Sequence, residues 1–213
     1  MASGHGCIAA LAGVNGAGKS SVIGALLRSR GGAYFNPDEY TRELIAANPG
    51  LSESDANSAA WQKGYDGLVQ AITKCEEYTF ETTLGGRKVL AALQQAATNG
   101  MDVVVWYVGL SSVELHLQRV ASRVALGGHS IPEAKIRARY NSSRENIIAL
   151  LPQLTELQVF DNSDDSPPSQ GREPQPKLLL HLQSGKILGP TDLAPTPTWA
   201  KPIVTAALKL KPR

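Results

Sequence analysis

Two kinds of segment alternate over the first 160 residues of the chain. Short runs rich in Val, Ile, Phe and Tyr are followed by longer segments in which apolar residues recur at helical spacing. This succession is typical of βαβ units, which build a parallel sheet covered by helices. The pattern predicts five strands, at residues 7–12, 33–36, 78–81, 103–108 and 158–160.

Two predicted helices between the last two strands begin with the capping-box pattern. Residues 111–114 and 130–133 each place a Glu three positions after a Ser, so that both side chains can satisfy free backbone N–H groups. Gly127 and Gly128 predict the end of the first of these helices.

The composition changes at residue 162. Residues 162–176 are rich in Asp, Ser, Pro, Gln and Gly, which predicts an exposed loop. Residues 177–183 and 186–188 flank Ser184-Gly185, a two-residue turn suited to a β-hairpin. Residues 199–210 predict a short helix.

No internal repeat and no second apolar core divides the chain, so we expect a single domain over residues 1–213. Its core is expected over 1–163, with a lid at about 111–150. Residues 164–213 are expected to form the C-terminal loop, hairpin and short helix.

The composition narrows the class of protein. Hydrophobic residues make up 42% of the chain and charged residues 19%, which is typical of a folded domain and not of a disordered tail or a membrane span. The formal net charge is +2, from 21 Lys and Arg against 19 Asp and Glu. A nucleic-acid partner is disfavoured, because proteins that track nucleic acid carry a clear basic excess.

Cys7 and Cys75 are the two cysteines, which is too few for a disulfide framework, and neither lies in a zinc-binding pattern. The first residues lack a basic segment followed by an apolar one, and no run approaches the ~20 apolar residues of a membrane helix. We therefore expect a cytoplasmic protein without a membrane anchor.

The net charge is unevenly distributed along the chain. Between residues 119 and 144 six basic residues oppose one acidic residue, a net of +5, which leaves −3 for the remainder. These cations could clamp phosphates from a lid that closes at Gly127 and Gly128, although a solvated helix face is the alternative for any one of them. The six are Arg119, Arg123, Lys135, Arg137, Arg139 and Arg144.

A glycine-rich motif follows the first predicted strand. Residues 13–20, GVNGAGKS, match G-x-x-x-x-G-K-[ST] between a strand and a helix. Glycines are needed because backbone N–H groups must converge on phosphate oxygens, and a Cβ would obstruct them. A chance GKS in a glycine-rich turn would not be expected in this context. The motif therefore predicts a P-loop that binds ATP.

Lys19 is expected to reach the β- and γ-phosphates, and the Ser20 hydroxyl is expected to bind Mg²⁺. The residues expected to contact ATP are Gly13, Asn15, Gly16, Ala17, Gly18, Lys19, Ser20, Ser21 and Arg119. The predicted fold class is α/β: a P-loop NTPase-type, three-layer fold with a mainly parallel central sheet, a helical Arg-rich lid and a C-terminal β-hairpin.

Asp38 follows the second predicted strand, near the start of a helix. Ligands of open α/β sheets bind at the carboxyl ends of the strands, and a carboxylate there can accept the proton of an attacking hydroxyl. The alternative is that Asp38 is the helix N-cap, and the two roles do not exclude each other. Asn36 is expected beside it in the substrate site.

Glu81, Thr82 and Thr83 follow the third predicted strand and precede a glycine pair. Three polar residues in this position suit the cleft at the sheet edge better than the core. Glu81 could bind substrate hydroxyls or a metal-bound water, and either threonine could bind phosphate or substrate oxygens. Alternatively, Thr83 caps the following helix.

Five segments, in this order, resemble the zeta toxin family of P-loop kinases over roughly residues 5 to 163. They are GVNGAGKSS, NPDEY, FETTLGG, RVALGGHSIPEAKIRARYNSSREN and VFDNS. The resemblance implies a kinase that uses ATP and Mg²⁺ to phosphorylate UDP-N-acetylglucosamine on a sugar 3′-hydroxyl, and that a cognate antitoxin holds inactive.

The resemblance also implies roles for individual residues. Lys19 and Ser20 match the phosphate-binding lysine and the metal-binding hydroxyl, and Asp38 matches the general base. Glu81 and Thr83 match residues of the substrate site.

The lid is expected to supply arginines that engage the phosphates. Arg123 resembles one of them, and either Arg137 or Arg139 resembles the second.

Three other functions stay open: a kinase of another nucleotide such as NAD, a polynucleotide 5′-kinase that uses the basic segment as a strand channel, and a nucleotide-dependent regulatory module without a dedicated acceptor.

Overall fold

The structure is a computed structural model that describes residues 5–128, 130–164 and 176–211, and these residues form a six-stranded sheet with helices on both faces. The strands are β1 (Cys7–Ala12), β2 (Tyr78–Thr82), β3 (Asp102–Gly109), β4 (Glu156–Asp161), β5 (Lys177–Gln183) and β6 (Lys186–Gly189). The helices are α1 (Ala25–Ser29), α2 (Pro37–Ala47), α3 (Glu53–Lys74), α4 (Arg87–Thr98), α5 (Val113–Ala125), α6 (Glu133–Leu150) and α7 (Lys201–Leu208). A π-helical turn (Ser20–Gly24) leads into α1.

The strand order is β2-β1-β3-β4-β5-β6. The first four strands are parallel, with Ile8 opposite Val103 and Val105 opposite Leu157, whereas β5 and β6 are antiparallel to their neighbours. The parallel strands therefore all end at one edge of the sheet, where the P-loop follows β1. The expected α/β fold with a mainly parallel sheet is confirmed.

Alternation along the strands divides the apolar residues between two layers of helices. On β3, Val105 and Tyr107 face the main core beneath α3, α4, α6 and α7, and Val108 faces the opposite side. There it packs with Leu11 and with Ile23 of the turn before α1. The helices on both faces produce the expected three-layer arrangement.

The C-terminal hairpin continues the central sheet. Ser184 and Gly185 have φ values of 47° and 79°, as a two-residue hairpin turn requires. Helix α7 adds Ile203 to the main core, and the buried Trp199 covers Gly109, where a Cβ would lie 2.3 Å from the indole ring. The described C-terminal elements thus share the sheet and the main core with the preceding residues.

The prediction of a strand at residues 33–36 is wrong. Phe35 makes only an isolated parallel bridge to Phe80, with its N–H donating to Thr79 O at 2.9 Å. The pairing ends there because Asn36 is the N-cap of α2 and Pro37 has no N–H to continue a ladder.

Both predicted capping boxes are wrong in position. The N-cap of α5 is Ser112, one residue after the predicted Ser111, and its Oγ accepts from Leu115 N at 3.1 Å. Helix α6 has Pro132 as its N-cap, without a side-chain cap. Because a residue before proline is disfavoured in the helical region, the helix starts later than the Ser130 box predicted. The predicted helix end is confirmed: Gly127 has a φ of 87° and follows α5.

Residues 165–175 of the predicted exposed loop lie outside the described residues. The prediction is wrong for Asn162 at its start, because this side chain is buried, with 7% exposed. The predicted lid, residues 111–150, comprises α5 and α6. Ile147 and Leu150 near the end of α6 belong to the main core, so this end of α6 is part of the body of the domain.

Candidate active site

The P-loop lies at the carboxyl ends of the parallel strands. Gly16 and Gly18 have φ values of +82° and +87°, a conformation that favours glycine. A Cβ on Gly18 would lie 2.5 Å from Nδ2 of Asn162, which donates to Ala17 O at 2.9 Å. Asn162, directly after β4, thus holds the loop from a strand that is separated from β1 by β3.

Lys19 and Ser20 both contact Glu81, at the end of β2. The Ser20 hydroxyl donates to Glu81 Oε2 at 2.6 Å, and Lys19 Nζ lies 3.4 Å from Glu81 Oε1. Lys19 is 6% exposed, so the ion pair is largely shielded from water. The parallel pairing of β1 with β2 brings these residues together across 61 positions of sequence.

Asp38 lies in the first turn of α2 and is not its N-cap. Asn36 caps the helix, because its Oδ1 accepts from the backbone N–H of Asp38 at 2.9 Å and from that of Glu39 at 3.3 Å. The Asp38 carboxylate instead meets α5, where Arg123 donates to its Oδ2 at 3.1 Å. The side chain of Asp38 is therefore available for chemistry without loss of the cap.

A cavity of about 440 Å³ opens beside the P-loop and joins several of the predicted residues. This volume is in the range of small-molecule sites, which span roughly 300–1,000 Å³. Among its lining residues are Asn15, Lys19, Asp38, Glu81, Thr82, Thr83 and Arg139. Lys19 and Asp38, the candidate base, thus face one space.

The two candidate lid arginines differ in position, although they lie two residues apart. Arg139 lines the cavity and donates to Asn15 Oδ1 of the P-loop at 2.8 Å, and burial lowers the pKa of its guanidinium. Arg137 is outside the cavity and donates to Glu133 and Glu114 at 2.7 and 3.1 Å. Of the two candidates, Arg139 is therefore the one that faces the cavity beside the P-loop.

Two other arginines of the basic segment have contacts away from the cavity. Arg119 of α5 donates to Asp164 O at 3.4 Å. Arg144 lies over the Tyr140 ring, 4.1 Å from its centroid, and its Nε donates to Tyr140 O at 2.8 Å.

Thr82 and Thr83 shape the loop between β2 and α4. Thr82 Oγ1 accepts from Leu84 N at 3.0 Å, and Thr83 Oγ1 accepts from Gly85 N at 3.5 Å. Thr83 does not cap α4, because Gly86 is its N-cap. Both threonines line the cavity, where their hydroxyls can still donate to a ligand.

His116 supports the P-loop and was not among the residues that the sequence singled out. It is 1% exposed, and its Nδ1 lies 2.8 Å from the Asn15 carbonyl oxygen. Because a carbonyl can only accept, Nδ1 carries the proton of the neutral ring. Burial lowers the pKa of His116 to about 4, so the ring is neutral at pH 7.

We expect the protein to lose stability on mild acidification because His116 is buried in its neutral form. Its pKa of about 4 in the folded state lies below the 6.5 of an unperturbed histidine, so the unfolded chain takes up the proton first. The contribution is present above about pH 6.5 and is lost as the pH falls towards 4, by about 3 kcal/mol in total. Urea unfolding at pH 7.0, 5.5 and 4.5 measures this change.

His116→Asn is the matched control for this titration, since an amide N–H can still donate to the Asn15 carbonyl but does not ionise. The variant should lose less stability between pH 7.0 and 4.5 than the parent. Equal losses in the two proteins would show that another group causes the acid sensitivity.

Comparison with known proteins places the chain in a family. The family model described as Zeta toxin matches residues 4–167. This chain belongs to the zeta toxin family. Membership supports a nucleotide-binding phosphotransferase, the class of protein that the P-loop and the family resemblance together predicted.

One curated relative is an uncharacterized protein of Haemophilus influenzae, 30% identical over 128 residues, which make up 60% of this chain and 88% of that protein. Among solved structures, a chain of the AvrRxo1-ORF1:-ORF2 complex with ATP is similar with a TM-score of 0.64 and 16% identity. The alignment covers 96% of this chain and 64% of that chain, so this protein spans less than two thirds of its length.

The chromosomal toxin-antitoxin system PezAT of Streptococcus pneumoniae provides a second similar structure. The TM-score is 0.53 at 15% identity, over 75% of this chain and 68% of that chain. At these identities the two structures support the shared fold. Among the residues of our chain that the structure describes, no helix has the length and apolar character needed to cross a bilayer.

Proposed function

We propose that this protein transfers the γ-phosphoryl group of ATP to a hydroxyl of a small molecule. The observation that carries the proposal is that Lys19 of the P-loop and the carboxylate of Asp38 line one cavity of ligand size. A phosphoryl donor and a proton acceptor on the same space are what transfer to an alcohol requires. Family membership supports the same class of reaction.

In the proposed reaction the acceptor oxygen attacks the γ-phosphorus and ADP leaves. Asp38 takes the proton of the acceptor hydroxyl, and Arg123 fixes the carboxylate by its hydrogen bond. Lys19 binds the β- and γ-phosphates, and Arg139 approaches the same phosphates from α6 and stabilises the charge that develops on them.

Ser20 and Glu81 fit a magnesium ion by their chemistry. A hydroxyl and a carboxylate oxygen that already lie 2.6 Å apart are oxygen ligands of the kind Mg²⁺ prefers. Bound there, the ion would neutralise charge on the β- and γ-phosphates. Glu81 would exchange its contact with Lys19 for a role at the ion, which leaves Lys19 for phosphate.

The first acceptor to test is UDP-N-acetylglucosamine, as the family resemblance implies. The protein is incubated with γ-labelled ATP, Mg²⁺ and, separately, UDP-N-acetylglucosamine, NAD and an oligonucleotide with a 5′-hydroxyl. We expect label in the sugar nucleotide. Label in NAD or in the oligonucleotide would identify that molecule as the substrate instead. Label in inorganic phosphate alone would favour a regulatory nucleotide hydrolase.

We further propose that an antitoxin protein inhibits this chain in the cytoplasm, where ATP is available. The support is its family and its similarity to a structure described as part of a toxin-antitoxin system. Expression of the chain alone should arrest growth, and co-expression with an antitoxin protein that binds the chain should relieve the arrest.

A further inference from the structure

An aromatic cluster forms one wall of the cavity and has no role in the reaction described above. Trp61 and Tyr65 of α3 stack with their ring centroids 5.3 Å apart and their planes 6° from parallel. Lys88 of α4 lies over both rings, with Nζ 5.4 Å from the Trp61 centroid and 5.9 Å from that of Tyr65. All three residues line the cavity, and we call them the aromatic platform.

The packing of α3 does not require Trp61 at this position. The helix buries a different stripe of small and aliphatic side chains, among them Ala60 and Leu68, against the domain. Trp61 is 42% exposed and belongs to none of the hydrophobic clusters among the described residues. A large indole left open to a cavity, beside a second ring, is a surface on which a planar ligand can stack.

The cavity also carries positive charge that carboxylates do not neutralise. Arg87, Lys88 and Lys135 line it, and none of the three forms an ion pair among the described residues. The two carboxylates that line the cavity, Asp38 and Glu81, have arginine and lysine partners of their own. The three cations can therefore attract an anionic group of the ligand.

We propose that the aromatic platform positions the phosphoryl acceptor by stacking a planar ring of that molecule on Trp61, and that this ring is a nucleobase with phosphate groups nearby. Lys88, Arg87 and Lys135 would contact those phosphates. This inference rests on the proposed function, because the acceptor hydroxyl must reach Asp38 in the same cavity. A free nucleotide and the end of a nucleic-acid strand share this chemistry.

The main test separates acceptor affinity from turnover. Trp61→Ala should raise the KM for the labelled acceptor by about 5- to 150-fold, the range that loss of base stacking predicts, with little change in kcat. Trp61→Phe keeps a ring and should lose less. The matched control is Val69→Ala, which truncates another exposed apolar residue of α3 that does not line the cavity.

Charge is tested in the same way with Lys88→Gln, which should also raise this KM. Lys63→Gln is its control, because Lys63 is exposed on α3 and outside the cavity. Assaying both a sugar nucleotide and a 5′-hydroxyl oligonucleotide shows which source of nucleobase the platform serves. Phosphoryl transfer whose KM is insensitive to Trp61→Ala would overturn the platform and leave the proposed function standing.

A binding experiment decides the case in which no acceptor becomes labelled and the proposed function fails. With the P-loop saturated by a non-hydrolysable ATP analogue, UDP is titrated and tryptophan fluorescence is recorded. We expect UDP to quench the signal and inorganic pyrophosphate, which has no ring, to leave it unchanged. Loss of this quenching in Trp61→Phe and weaker UDP binding in Trp61→Ala support the platform, whereas absence of UDP binding to the parent protein overturns it.

Discussion

Replacing Asp38 with Asn should lower phosphoryl transfer by about 10²- to 10⁴-fold while ATP still binds. This is the range that loss of a positioned general base produces. An amide has nearly the same shape as the carboxylate but cannot take the proton of the acceptor hydroxyl. Single-turnover transfer from γ-labelled ATP measures the loss, and the affinity for a fluorescent ATP analogue shows that the P-loop is intact.

The cap of α2 makes this variant a clean test. Asn36, and not Asp38, accepts from the first backbone N–H groups of the helix, so Asp38→Asn leaves the helix start in place. The amide oxygen can still accept from Arg123, which keeps α5 next to α2. A loss of activity therefore reports chemistry at the carboxylate and not unfolding of the helix.

Glu39→Gln is the matched control, because Glu39 is the adjacent carboxylate of the same helical turn and pairs with Arg28 outside the cavity. It should retain the transfer rate of the parent. A parental rate in Asp38→Asn, or equal losses in both variants, would remove Asp38 as the base.

The sequence predicted best those features that a short segment determines. The P-loop could be located because Gly16, Gly18, Lys19 and Ser20 sit at fixed spacings that phosphate binding imposes. The position of Asp38 at the sheet edge followed from the order of strand and helix, even though the strand before it proved to be a single bridge at Phe35.

Features that depend on contacts between distant segments could not be predicted in the same way. The hydrogen bond of Ser20 with Glu81 requires β1 and β2 to be neighbours, and a P-loop motif does not specify the partner strand. His116 looked like any polar helix residue, because its carbonyl partner on Asn15 is 101 positions away.

Helical spacing did contain a signal for the aromatic platform. Trp61 and Tyr65 are four positions apart, which places both rings on one face of α3. The pattern alone favours a core-facing stripe, because aromatic residues at this spacing are most often buried. Only the position of Lys88 and the cavity distinguishes a binding surface from a packing surface.

The choice between Arg137 and Arg139 shows why spacing alone was insufficient. Both fall within the basic segment, and a shift of two residues moves a side chain by about 200° around a helix with 3.6 residues per turn. Arg137 therefore faces Glu114 on α5, whereas Arg139 faces Asn15 on the P-loop. The side of α6 that meets the P-loop decides which arginine can contact phosphate.

Replacing Arg139 with Ala should lower kcat by about 10³-fold or more, the lower end of the effect of an arginine that stabilises a transferring phosphoryl group. Its guanidinium lines the cavity and already donates to the P-loop, which is the position that the proposed contact with the transferring phosphoryl group requires. Arg139→Lys should recover only part of the rate, since an ammonium keeps the charge but lacks the planar fork of donors. Steady-state transfer and urea unfolding midpoints are measured together, so that lost rate is not confused with lost stability.

Arg137→Ala is the matched control on the same helix. Its side chain is 47% exposed and pairs with Glu133 and Glu114 in exposed ion pairs, which contribute little to stability. The variant should keep a rate within a few-fold of the parent. If Arg137→Ala abolished transfer and Arg139→Ala did not, the outer arginine would have to reach the phosphates. This would require α6 to rotate on binding ATP, because in the structure only Arg139 of the two lines the cavity.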